Sequence, residues 1–201
     1  MMEILIRIVD YGRSGGFLML PIIAVSLMMW GMIIVKLQEL YEVNRHDFSV
    51  KEAVAWVQQG QEQPLAGTPL RHVVFHFIEK KTTDRETDLA LLSTLINREI
   101  SRLSNNLSYI YILAAVAPLL GLLGTVGGMI STFDAIAVFG TGNARAMAQG
   151  ISEALVTTQS GLFVSIPGLF MASFLNRRIS RIAQHLEEFR AAIMQGNAAS
   201  T

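Results

Sequence analysis

Few side chains in this sequence could do chemistry in an apolar setting, and they sit at narrow places. Thr125 is the one hydroxyl at the centre of the run Ala117-Pro118-Leu119-Leu120-Gly121-Leu122-Leu123-Gly124-Thr125-Val126-Gly127-Gly128-Met129. Thr157, Thr158, Gln159 and Ser160 open a second apolar run, and Glu153 stands just ahead of them. A hydroxyl both donates and accepts hydrogen bonds, so Thr125 and Thr158 could line an ion path. Serine and threonine are equally ordinary as packing residues between membrane helices. Glu153 could recruit cations or bond to a partner; it also suits the positive end of a helix dipole.

Other constellations carry less. His72 and His76 are four apart on an expected helix, with Glu79 about a turn further on, a spacing that could bind zinc. No glutamate follows His72, so the metalloprotease pattern fails. The favoured reading is a solvated or packed helix face, and no metal set is assigned. The glycines from Gly121 to Gly128 are not a phosphate loop, because no Lys-Ser/Thr follows. Without cysteine, disulfide and thiolate chemistry are excluded. No nucleophile, paired carboxylate or cofactor loop converges, so the chain reads as a non-enzyme needing no cofactor.

The elements that must position these residues are membrane helices. The 201 residues are 51% hydrophobic, and mean hydropathy is +0.42. The apolar residues fall in three blocks, Phe17 to Val35, Leu107 to Phe133 and Ala154 to Leu175, none holding a charged residue. Each approaches the roughly 20 residues that span a bilayer. The predicted fold class is an all-α membrane protein with three transmembrane helices, two of them extended into a cytoplasmic helical bundle. Nine Lys and Arg residues lie between the first and second blocks, and Arg177, Arg178, Arg181 and Arg190 follow the third. The positive-inside rule places these segments in the cytoplasm and the N-terminus in the periplasm. The expected divisions are 1–15, a periplasmic-side amphipathic segment; 16–36, transmembrane helix 1; 37–106, a cytoplasmic helical loop; 107–133, transmembrane helix 2; 134–152, a periplasmic loop; 153–176, transmembrane helix 3; and 177–201, a cytoplasmic C-terminal helix. The N-terminal apolar block reads as a retained anchor rather than a cleaved signal, because it is too long for an h-region. Net formal charge is +0, which points to no nucleic-acid partner.

In this topology the second span runs outward and the third inward. Thr125 then lies about seven residues before the outer end of its span and Thr158 about four after the start of its own, at similar depth. No Asp, Glu, Lys, Arg or His lies within the three apolar blocks, and Glu153 stands at the mouth of the third. A proton carrier needs a titratable group in the membrane, so a carboxylate from another subunit is expected if protons move here. In the long loop, Val50, Ala53, Val54 and Val57 recur at helical spacing, Gln61 to Thr68 reads as a loop, and Leu70 to Lys80 resumes helix. Thr83 to Ala117 holds neither Gly nor Pro. Leu89, Leu92, Ile96, Ile100, Leu103, Leu107 and Ile110 step along it at three and four, which predicts one unbroken helix into the second span. The third span is expected to continue to near Gln195.

The run from Ala117 to Met129, and Gly150-Ile151-Ser152-Glu153-Ala154-Leu155-Val156-Thr157-Thr158 followed by Gly161-Leu162 and Pro167, resemble the second- and third-span motifs of the ExbB/TolQ/MotA proton-channel family. The resemblance is firm over about 100 to 182 and topological elsewhere, and three spans in this length favour the ExbB/TolQ-like branch. It implies a pentamer around a dimer of a small single-span ExbD/TolR-like partner whose membrane Asp carries the proton. It also implies a TonB- or TolA-like protein as the recipient of the work, in the bacterial inner membrane. The family's channel threonines map onto Thr125 and Thr158 and its motif glutamate onto Glu153. Gly121, Gly124, Gly128, Pro118 and Pro167 are expected as helix-packing positions. Gly127 departs from the pattern, standing where many relatives carry Trp. The implied function is that of an ion-driven motor subunit, ExbB-like or of the TolQ or another motor branch. The rival is a non-conducting helical scaffold. Threonine hydroxyls suit H+ and Na+ alike.

Overall fold

Long apolar runs with few helix breakers produce a chain of helices. The computed structural model describes residues 15–45, 53–55, 57, 68–82, 84–140 and 143–196. They form α1 (Met19–Arg45), α2 (Pro69–Lys80), α3 (Arg85–Ser104), α4 (Leu107–Phe139) and α5 (Ala144–Gly196), and no strand occurs among the described residues. Three stretches, Met19–Tyr41, Glu86–Phe139 and Ala144–Gln195, are long and apolar enough to cross a membrane. The expected interfacial segment 2–10, Val50, and the loop up to residue 67 lie outside the described residues.

The chain divides into two compact units, Met1–Ile33 with Ser108–Ala172, and Ile34–Leu107 with Ser173–Thr201. In the first, large apolar side chains such as Leu20, Leu27, Leu119, Leu122, Phe133, Phe163, Ile166 and Phe170 are exposed. An apolar surface of that extent is prohibitive in water and suits hydrocarbon or further apolar partners. The interior between α4 and α5 is made of small residues instead.

The second unit has an ordinary hydrophobic core. Phe77, Val73 and Val74 of α2, Leu92 and Ile96 of α3, and Leu186, Phe189 and Ile193 of α5 close around Ala53 and Val57. The three- and four-residue stepping read from the sequence is therefore the buried stripe of α3, as the period of 3.6 requires. Lys36, just past the first apolar block, is buried and donates to Glu39 Oε2 at 2.8 Å. The Arg178 guanidinium lies 5.2 Å from the Phe174 ring centroid. α3 starts on Asp84, whose carboxylate accepts from the Thr87 N–H at 3.2 Å and from the Thr87 hydroxyl, satisfying donors at the helix start. These donors hold the Asp84 carboxyl below its usual range. Asp88, one turn on, accepts from Thr82 N at 2.7 Å and Thr82 Oγ1 at 3.0 Å.

Two expectations need correction. The predicted unbroken helix from 83 into the second span is interrupted at Asn105–Asn106, where Asn106 has φ 67. Asn105 Oδ1 accepts from Asn106 N at 3.0 Å, and Asn105 N donates to Arg102 O at 3.3 Å. Asparagine tolerates the left-handed region and bonds its own backbone, so a pair of them ends a helix without Gly or Pro. The expected loop 134–152 is helical over 134–139 and 144–152. α4 runs to Phe139, Gly140 follows with φ 66, and Asn143 Oδ1 accepts from Ala146 N at 3.1 Å to start α5. A left-handed glycine ends α4 and an asparagine cap starts α5, and the Ala- and Met-rich residues on either side favour helix. The continuation of the third span ends at Gly196, next to the expected Gln195.

Candidate ion-path site

Spans two and three meet along a seam of small residues. A Cβ placed on Gly121 would lie 3.0 Å from Thr157 O and 3.1 Å from Thr158 Cα. On Gly128 it would lie 2.6 Å from Gly150 O and 2.7 Å from Ala154 N, and on Gly161 2.6 Å from Ala117 O. At Gly124 it would run into the Thr157 hydroxyl, and at Gly150 into that of Thr132. Residues advancing along α4 thus meet residues retreating along α5, the register of an antiparallel pair. The backbones approach this closely because no side chain stands between them, the way helices associate where hydrocarbon offers no hydrophobic drive.

The seam sets the position of both candidate threonines. Thr158 is half-buried, and its hydroxyl donates across the seam to Gly121 O at 3.1 Å and to Ala154 O of its own helix at 3.3 Å. Thr125 is half-buried too, and its hydroxyl donates to Leu122 O at 2.6 Å. Gly121 and Leu122 are consecutive, so the two hydroxyls end on neighbouring carbonyls of one turn of α4. Each spends its proton on a carbonyl and keeps oxygen lone pairs free to accept. Each such oxygen can take a hydrogen bond from a protonated carboxyl or ligate a small cation.

Glu153 is not part of that pair. It lies five residues before Thr158 on α5, roughly 7.5 Å along the axis, and its carboxylate covers Gly16, where a Cβ would strike it. Gly16 has φ 63. The glycine is needed both for that backbone and for the carboxylate packed on it. Pro118 and Pro167 are half-buried inside unbroken α4 and α5. At Gly127 an added Cβ would meet only Leu18 Cδ1 at 3.7 Å.

Thr157, Thr132, Gly150 and Gly161 received no packing role from the sequence. Thr157 is 0% exposed, beneath Gly124, with its hydroxyl on Glu153 O and Ala154 O at 3.0 and 2.9 Å. Their signal was present as small residues at steps of four and three, Gly150, Ala154, Thr157 and Gly161, matching Ala117, Gly121, Gly124 and Gly128.

The family model for the MotA/TolQ/ExbB proton channel family matches residues 58–188. The Tol-Pal system protein TolQ of Haemophilus influenzae is 36% identical over 109 residues, 54% of this chain and 46% of that protein. The biopolymer transport protein ExbB of Xanthomonas campestris is 33% identical over 98 residues, 49% of this chain and 39% of that protein. The chain thus spans less than half the length of these two relatives. A putative biopolymer transport protein, ExbB-like 1, of Synechocystis is 27% identical over 206 residues, 92% of this chain and 76% of that protein.

Proposed function

This chain belongs to the MotA/TolQ/ExbB proton channel family, and from that premise we propose that it is the channel-wall subunit of an ion-driven motor in the bacterial inner membrane. The observation that carries this reading is that the Thr125 and Thr158 hydroxyls bond adjacent carbonyls, in apolar blocks, Leu107 to Phe133 and Ala154 to Leu175, that hold no carboxylate. The wall supplies oxygen acceptors and the moving proton needs a carboxylate, so the Asp comes from a small single-span partner of the ExbD/TolR type. Several copies of this chain, five by family resemblance, surround that partner dimer. Their relative rotation drives a TonB- or TolA-like protein. The relatives' names, biopolymer transport and Tol-Pal, support work of this kind.

In this reading Thr158 offers its lone pairs to the partner's carboxyl as it protonates and releases. Thr125 does the same at equal depth, and Glu153 concentrates cations at the outer mouth. The seam of Gly121, Gly124 and Gly128 keeps α4 and α5 as one rigid wall, so the hydroxyls hold their positions as the partner moves. The residues after α1 and after the third span face the cytoplasm, where Arg177, Arg178 and Arg181 meet anionic headgroups.

Native mass spectrometry of the complex drawn from its own host membranes tests the assembly. A pentamer with two copies of a single-span protein bearing a membrane Asp is the expected result. A bare oligomer, or one bound to an unrelated protein, overturns the motor reading in favour of a scaffold.

A further inference from the structure

The histidine pair on α2 sits in an arrangement that the channel chemistry does not use. His72 Nε2 and His76 Nε2 are 3.2 Å apart, with the rings nearly perpendicular at 88°. On the far side of each ring is a carboxylate. His72 Nδ1 lies 2.6 Å from Glu99 Oε1 of α3, and His76 Nδ1 lies 3.2 Å from Glu79 Oε2.

The Glu99 side chain is 6% exposed, and its other oxygen has Arg102 Nη1 only at 3.8 Å. A buried carboxylate needs a close donor, so His72 carries its proton on Nδ1. Glu79, an exposed carboxylate, accepts from His76 Nδ1 when that nitrogen carries the proton. In that tautomer both Nδ1 atoms are engaged by carboxylates and the two Nε2 atoms are left 3.2 Å apart with no proton between them.

We propose that His72 and His76 chelate a divalent transition-metal ion of the zinc type between their Nε2 atoms. Two imidazole nitrogens bound at 2.0–2.1 Å to a tetrahedral ion stand roughly 3.4 Å apart, close to the separation here. Carboxylates on the outer nitrogens are what metal-bound histidines use to fix tautomer and ring angle. A four-residue step on one helix presents both rings to one point without any movement of the fold. Among the described residues no group of three or more His, Cys, Asp or Glu could hold a metal, so water completes the shell from the adjoining cavity, which Ser101 and Asn105 also line. Arg98 and Arg102 border the same cavity and oppose a cation, while Glu79 and Glu99 favour it. The outcome is an exchangeable site rather than a permanent structural one.

The test uses the full chain in detergent, purified on a tag without histidine and titrated with Zn2+ alone in competition with a chromophoric chelator near neutral pH. One Zn2+ per chain is expected. His72→Ala and His76→Ala should each abolish it, and Glu99→Gln should weaken it by about tenfold or more. His185→Ala, at a histidine outside the pair, should leave it unchanged. X-ray absorption on the unaltered Zn2+-loaded chain should show two imidazole nitrogens, a readout that does not depend on any variant folding. No binding at neutral pH, binding that survives the His72→Ala/His76→Ala double variant, or a zinc shell without imidazole scattering would each overturn the proposal.

Discussion

Gly128→Ala is the substitution that the helix seam constrains most sharply. Its new methyl would lie 2.6 Å from Gly150 O, 2.7 Å from Ala154 N and 2.8 Å from Ala154 Cβ. All three belong to the backbone or Cβ of α5, so no side-chain rotation relieves them. Restoring contacts of about 3.5 Å requires the helices to part locally by roughly 1 Å. Overpacking of this kind costs about 1–3 kcal/mol. Alanine also gains about 1 kcal/mol over glycine as a helix former, which masks part of the cost. Gly31→Ala cancels that gain, because Gly31 also lies inside a helix and nothing lies within 4 Å of its added methyl. The contrast between the two variants therefore isolates the seam, with Gly128→Ala the less stable by about 1–3 kcal/mol. Reversible unfolding in mixed dodecyl maltoside and SDS micelles, followed by far-UV circular dichroism, measures it. Equal stability of the two variants, to within about 0.5 kcal/mol, would refute the close-packed seam.

Thr158→Val removes the hydroxyl that crosses to Gly121 O. The fold should lose no more than about 0.5–1.5 kcal/mol, while proton uptake into liposomes carrying the complete complex should collapse; normal uptake would remove Thr158 from the path. Asn106→Val should cost about 1–2 kcal/mol because φ 67 is strained for a branched residue, whereas Asn106→Gly should be nearly neutral; thermal melts separate the two. The Asp84 carboxyl is held low chiefly by the Thr87 side chain and then its backbone N–H. Its contribution is therefore full above the unfolded value of about 3.9 and is lost as the pH falls through the lower folded value. Asp84→Asn keeps a capping oxygen that does not titrate, so amide-exchange protection at the start of α3 should flatten across that acid range; an unchanged pH profile would show the cap to be irrelevant.

Hydropathy blocks, the two glycine-threonine motifs and the absence of intramembrane charge were all legible along the chain. They are properties of composition and spacing, and transfer energies act on them before any helix meets another. The same local signals placed α2 and the buried stripe of α3. The break at Asn105–Asn106 escaped a search for Gly and Pro, because asparagine adopts the left-handed region by bonding its own backbone. The end of α4 at Phe139 and the start of α5 at Ala144 were blurred because charge marks the edge of hydrocarbon, not the end of a helix. What only the tertiary structure decided is which small residue meets which. Thr157 and Thr158 are adjacent in sequence, yet one lies buried beneath Gly124 while the other reaches Gly121 O across the seam. Successive residues of a helix point about 100° apart, and the register with α4 alone selects the buried one. The same holds for His72, whose partner Glu99 comes from another helix: a spacing of four placed two imidazoles together, and only packing set a carboxylate behind one of them.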